Sequence, residues 1–140
     1  MILFNYETDF ILFEKEIIFE NWVEKIISSE GKKTGEINYI FCDDLYLHQI
    51  NMQYLNHDTL TDIITFDYTE GEILSGDIYI STERVADNAT DFQVSFSLEM
   101  LRVMAHGILH LCGYKDKTIT ESQKMRQKED EKIKLFQEKY

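Results

Sequence analysis

Apolar residues recur along this chain with two periods, and the switches between them mark out its elements. In a helix they return every three to four positions, in a half-buried strand every second one. ILFNYE, residues 2–7, reads as a short strand. Residues 13–29 follow, with Ile17, Ile18, Trp22, Val23, Ile26 and Ile27 at helical spacing. Gly31 and Gly35 bracket a loop. EINYIFCD, residues 36–43, then sets Ile37, Tyr39 and Phe41 against Asn38, Ile40 and Cys42, as a buried strand does. Asp43 or Asp44 caps a helix that runs to about Tyr54, with Leu45, His48 and Met52 near one face. Beyond the polar loop LNHDTLTD, residues 55–62, IITFDY is β-branched and aromatic and predicts a strand. GEILSG reads as a turn-rich connection and DIYIST as another strand. A helix is expected from near Thr82 to about Thr90.

SFSLEMLRVMAHGILHLCGY, residues 95–114, predicts a long apolar helix. Leu98, Leu101, Val103, Met104, Ile108, Leu109 and Leu111 cover nearly its whole circumference, so it should lie mostly inside. Thr118 and Glu121 form the sequence pattern of a capping box, opening a last helix. The predicted order is β-α-β-α-β-β-α-α-α. That mixture points to an α+β fold, a small mixed β-sheet of about four strands packed with helices, with at least one parallel pair. Proline is absent, and no flexible linker, repeat or low-complexity tract divides the chain, so residues 1–140 read as a single domain.

The chemistry concentrates in AHGILHLCGYKDK, residues 105–117. Two residues four apart on a helix differ by about 40° around its axis, so the rings of His106 and His110 fall on one side. Gly113 stands where a helix often ends in a left-handed turn, and the turn can carry Asp116 back toward the imidazoles. Two nitrogens and a carboxylate oxygen are three protein ligands, which leaves a position open as in catalytic zinc sites. Metal at a buried helix end near a sheet edge would lie at the base of a cleft. The frame is His-x-x-x-His-x-x-Gly-x-x-Asp. Metzincin proteases have Glu after the first histidine and His at the end; here Gly107 replaces their general base, so a peptidase mechanism lacks a necessary group. Two histidines and a carboxylate also make the facial triad of non-haem iron oxygenases, but that triad normally lies on strands. Hydrogen-bonded core histidines are the bland alternative, and a second reading of Asp116 is a surface acid with another carboxylate completing the set. Cys112 points away from both histidines.

Composition narrows the picture. The chain is 44% apolar and 13% aromatic, enough for a real core. It has no run of 18 apolar residues and no signal peptide at its N-terminus, so a soluble cytoplasmic protein is expected. Cys42 and Cys112 fit reduced thiols. The net charge is −12, which argues against broad electrostatic affinity for nucleic acid. The charge is uneven: residues 115–140 hold eight Lys/Arg against six Asp/Glu, a net of +2, and residues 1–114 hold six against twenty, a net of −14. The run KMRQKEDEKIKLFQEK reads first as a solvated helix face with i,i+4 pairs and second as a contact surface for phosphate.

HGILHLCGYKD resembles the signature of the YbeY family of rRNA-processing metalloproteins, His-Gly-x-Leu-His-Leu-x-Gly-Tyr-Asp-His. INMQYLNHDTLTDIITFD, residues 50–67, and SGDIYIS, residues 75–81, resemble two further blocks of that family in the same order. The resemblance implies a cytoplasmic, zinc-dependent, single-strand-specific endoribonuclease acting in 3′-end maturation of small-subunit rRNA and in ribosome quality control. Its implied partners are single-stranded RNA and the small ribosomal subunit or an assembly factor; neither DNA nor a membrane is expected. His106 and His110 match the metal ligands, and Asp116 stands in the third ligand's place. That exchange removes one positive unit from the site and predicts a weaker Lewis acid. The family's Arg after the block's Tyr is replaced by Leu55, and Lys115, His57 and Arg84 are candidate substitutes. The catalytic group is not identified; His57 and Lys115 are weak candidates. Thr61 and His57 border the expected cleft, Glu99 suits a supporting role near the metal, and Asp62 and Asp77 suit structural roles. The alternative is a non-enzymatic ribosome-assembly module whose metal only stabilises the fold. An acidic chain should bind naked RNA weakly, which favours delivery of the substrate by a ribosomal partner.

Overall fold

The computed structural model describes residues 1–55 and 61–140. Among these residues the elements run β1 (Ile2–Tyr6), α1 (Glu16–Ser29), β2 (Lys33–Cys42), α2 (Asp44–Leu55), β3 (Ile63–Asp67), β4 (Ile73–Ser81), α3 (Thr82–Phe92), α4 (Phe96–Leu111) and α5 (Ile119–Lys139). The strands form one sheet in the order β1-β2-β4-β3. β1 and β4 each run parallel to β2, while β3 lies antiparallel to β4 at an edge. The topology follows from the connections. A helix between β1 and β2 permits a parallel crossover, whereas the short link from β3 to β4 permits only a hairpin. The fold is therefore α+β, with a small mixed sheet and helices packed on it.

Strand alternation divides the core. Ile37, Tyr39 and Phe41 of β2 and Leu74, Ile78 and Ile80 of β4 face one side, where they meet Trp22, Val23 and Ile26 of α1 and Met100, Met104 and Ile108 of α4. On the other side Leu47 of α2 packs with Cys42 and Ile64. α5 closes over the helical layer through Ile133 and Phe136. The Tyr39 hydroxyl, wholly buried, donates to the Met104 carbonyl at 2.9 Å and ties the central strand to α4.

Gly107 sets how closely α4 approaches the sheet. A Cβ there would lie 2.9 Å from Ile78 Cγ2 and 3.1 Å from Ile63 Cδ1. The residue in the place of the metzincin Glu thus faces strands β4 and β3, and the absence of a side chain is what lets the helix lie down.

Three local expectations are revised. β2 begins at Lys33 and β4 at Ile73, inside stretches that read as loop and turn. The two extensions satisfy each other, Lys33 opposite Ile73 and Thr34 opposite Leu74, and a register shift follows before Ile37. Gly35 sits in that irregularity, where a Cβ would come within 2.7 Å of the Leu74 carbonyl, so this glycine marks a bulge and not a loop. On α2 the buried residues are Leu47 and Asn51, while Leu45 and Met52 are exposed, because the sheet lies on the opposite side from the one their spacing suggested. α1 starts at Glu16, and Ile17 is exposed while Phe19 takes the core position.

Candidate metal centre and cleft

The local sequence around the centre determines how its side chains are held. Ser95 caps α4, its Oγ accepting from Leu98 N at 3.1 Å. At the other end Gly113 adopts a φ of +107°, and two bonds close the helix: Gly113 N donates to the His110 carbonyl and Tyr114 N to the Leu109 carbonyl. These are the paired bonds of a Schellman turn, which needs a residue tolerant of positive φ. The turn reverses the chain, and Thr118 and Glu121 form the capping box that starts α5. Ser122 Oγ donates to the Asp116 carbonyl at 2.8 Å, which fixes the backbone of Asp116 to the first turns of α5.

The reversal brings the three predicted residues together. Asp116 Oδ2 lies 3.2 Å from His106 Nε2 and 3.4 Å from His110 Nε2. The imidazole centroids are 4.5 Å apart at an interplanar angle of 81°. One ligand atom from each of the three side chains falls within 4.8 Å of the others, a spacing that a single ion can bridge. The far nitrogens are occupied. His110 Nδ1 lies 3.0 Å from the Tyr114 carbonyl. A carbonyl only accepts, so Nδ1 carries the hydrogen and the Nε2 lone pair points inward. His106 Nδ1 lies 2.6 Å from Glu129 Oε2, which is the carboxylate–histidine pairing that orients metal ligands. This donor set fits a divalent ion that accepts nitrogen and oxygen, zinc among them.

The surroundings push the two imidazoles apart. Burial pushes His106 down, but the Glu129 hydrogen bond and the charges of Glu129, Asp116 and Asp62 outweigh it, so its pKa lies above the ordinary value. Burial and the neighbouring His106 hold His110 below it.

The centre opens into a cleft of about 370 Å³ between α4, α5 and the β3 edge, lined among others by Thr61, Asp62, Ile63, Thr65, Asn88 and Glu99. Asp62 accepts from Asn88 Nδ2 at 3.3 Å, and burial raises its pKa. Glu99 is 4% exposed, and burial followed by the charge of Asp62 raises its pKa. Arg102 donates to Glu129 Oε1 at 3.1 Å and lies 2.9 Å from Asp130 Oδ1. Glu129 therefore bridges Arg102 and His106.

Other candidates lie elsewhere. Lys115 lines a separate shallow pocket with Tyr114, Glu121 and Lys124. Arg84 is held by Asp44 at 2.8 Å and Asp87 at 3.4 Å, away from the cleft lining. Asp77 accepts from Asn38 Nδ2 at 3.0 Å on the opposite face of the sheet. Cys112 is half-buried, its thiol pushed up to about 11 by burial, and it stands outside the converging set. Thr61 borders the cleft, and His57 falls outside the described residues. Glu129, Arg102 and Arg126 are the charged residues lining the cleft that the sequence did not single out. The signal for Glu129 was present: it falls four residues from each of the buried Met125 and Ile133, on the apolar stripe of α5.

No helix among the described residues is long and apolar enough to cross a membrane. Residues 4–137 match the family described as Endoribonuclease YbeY. A protein named Endoribonuclease YbeY from Flavobacterium johnsoniae is 64% identical over 136 residues, which are 97% of each chain. One of the same name from Karelsulcia muelleri is 46% identical over all 140 residues and 99% of its own length. The solution structure of TM1509 from Thermotoga maritima superimposes with a TM-score of 0.67 at 28% identity, covering 97% of this chain and 89% of that one. With the family matched from β1 to α5 and its relatives aligned end to end, the chain belongs to the YbeY family.

Proposed function

We propose that this chain is a metal-dependent endoribonuclease that cuts single-stranded RNA, using one zinc ion held by His106, His110 and Asp116. Its substrate is the 3′ end of small-subunit rRNA, presented in the cytoplasm by the small ribosomal subunit or an assembly factor. The observation that carries the proposal is the convergence of both Nε2 atoms on one Asp116 oxygen while both Nδ1 atoms are engaged. Membership of a family whose relatives bear the name endoribonuclease supports the reaction class.

When bound, zinc supplies Lewis acidity toward a phosphoryl oxygen or a water. The protein supplies position. Glu129 and the Tyr114 carbonyl hold the rings with their Nε2 atoms inward. Asp116, pinned by Ser122, closes the set from the turn into α5. The cleft of about 370 Å³ beside them is where a single strand would lie. The net charge of −12 makes affinity for free RNA weak and salt-sensitive, so delivery by a partner fits better than capture from solution.

The test is metal content together with cleavage of a single-stranded RNA, for the wild type, His110→Ala and Asp116→Ala. Loss of both properties in both variants is expected. Full cleavage in Asp116→Ala, or undiminished cleavage after chelation, would overturn the assignment. A second reading, a ribosome-assembly module with a structural ion, draws on the fact that the ligands come from both α4 and the turn into α5, so an ion would also staple two helices. Chelation that unfolds the protein would favour it; chelation that stops cleavage with little change in melting favours catalysis.

A further inference from the structure

Among the described residues that line the metal cleft, one cation is left without a carboxylate partner. Arg102 is neutralised twice, by Glu129 and Asp130. His106 and His110 face Asp116. Arg126 has no acidic oxygen within ion-pair distance among the described residues, and its charge reaches Glu99 only at longer range. It is exposed, and it lines both the main cleft and an adjoining recess of about 230 Å³ that it shares with His106, Asp116 and Ser122. Its mount is firm. Met125 beside it and Glu129 one turn on are both buried, so the backbone of α5 is fixed while the guanidinium has no carboxylate partner among the described residues.

A guanidinium at the mouth of such a cleft, without a carboxylate partner among the described residues, is suited to one class of ligand. Its planar fork matches phosphate oxygens with two parallel hydrogen bonds. Two features of this chain give it a reason to be there. Leu55, in the place where the resembled block has Arg, is apolar and 40% exposed. Asp116 also takes a positive unit away from the centre, and Arg126 returns one from a different element. We propose that Arg126 grips a phosphate of the RNA strand next to the scissile position, supplying from α5 the contact that Leu55 lacks. The proposal rests on the endoribonuclease function above.

Salt dependence isolates this contact. Each phosphate neutralised on a single strand contributes about 0.7 to the slope of log affinity against log salt. Binding of a fluorescent oligouridine to the metal-free protein would be measured between about 50 and 200 mM salt for the wild type, Arg126→Ala, Arg126→Lys and, as a distant α5 control, Lys134→Ala. Lys134 is 75% exposed. Arg126→Ala should weaken binding roughly tenfold at the low-salt end and flatten the slope by about 0.7. Arg126→Lys should keep the slope and lose part of the affinity, and Lys134→Ala should match the wild type. On the zinc-loaded protein Arg126→Ala should raise KM for RNA while metal content stays unchanged. The proposal is overturned if Arg126→Ala keeps the wild-type slope and KM, or if Lys134→Ala flattens the slope as much, which would mean diffuse attraction along the helix. A zinc-loaded wild type that does not cut RNA at all would instead remove the endoribonuclease function on which it stands.

Discussion

Glu129 shows what a single residue contributes to this centre. One oxygen accepts from His106 Nδ1 at 2.6 Å and the other from Arg102 at 3.1 Å. Removing its charge leaves His106 in place but frees its ring to turn, and loss of such an outer partner typically lowers metal affinity about 10–100-fold. Glu129→Gln should therefore weaken zinc binding by that factor in competition with a chromogenic chelator, with the circular dichroism unchanged. Equal affinity in the variant would detach Glu129 from the centre. The convergence of His106, His110 and Asp116 was legible in the sequence because helix geometry and one glycine turn fix their relative places. Glu129 was not, because it lies in a run of alternating charges that looks like a solvated face; only its register with Met125 and Ile133 distinguishes it. The same limit affected the cations. Sequence reveals that Lys115 and Arg84 carry charge, but not that one lines another pocket and the other is held by Asp44.

At the scale of elements, α4 is the part that the hydrophobic pattern described best, since a helix apolar on all sides has only the interior to occupy. Residues 106 and 110 share its open side, and residue 107 is turned to the sheet. Gly107→Ala should then meet two opposed effects. Alanine improves helix propensity by about 1 kcal/mol, while overpacking a tight core site costs about 1–3 kcal/mol. The methyls it would meet belong to β-branched side chains with little freedom to move aside. A net loss of about 1 kcal/mol is expected, read as a lower urea midpoint at constant slope. A gain in stability would show that α4 does not press on Ile78 and Ile63 as closely as described. Where the pattern misled, the cause was pairing. The extended ends of β2 and β4 support each other across the ladder, and Gly35 in a bulge looks the same in a sequence as Gly35 in a loop. The buried face of α2 depends on which side the sheet lies, and its weak amphipathicity left that open.

Across the whole molecule, a second polar cluster couples the centre to the packing of the helices. Glu30, just past α1, accepts from Lys132 Nζ at 2.6 Å, Tyr114 OH at 2.6 Å and Lys128 Nζ at 3.2 Å. Lys132 is wholly buried. Tyr114 belongs to the turn whose carbonyl fixes His110, so α1, α5 and the turn after α4 meet on one carboxylate. Burial pushes Glu30 up, but the bonds from Lys132, Tyr114 and Lys128 together outweigh it and hold its pKa at about 2, against an ordinary 4.5. A carboxylate with a depressed folded pKa contributes stability that is fully present above its unfolded pKa and is lost as pH falls through the folded one. The window here runs from about pH 4.5 down to about 2. That window lies below the chain's pI of about 4.6, so acidification there also builds up net positive charge and self-repulsion, a second effect that lowers stability. A difference measurement separates the two, because a single substitution leaves the global field almost intact. Glu30→Gln should be less stable than the wild type at pH 7, and the gap between their urea midpoints should narrow as pH drops through that window. Parallel curves would mean that the cluster holds no protonation-linked stability. In that case the tie between the Tyr114 turn and α1 would rest on apolar packing alone.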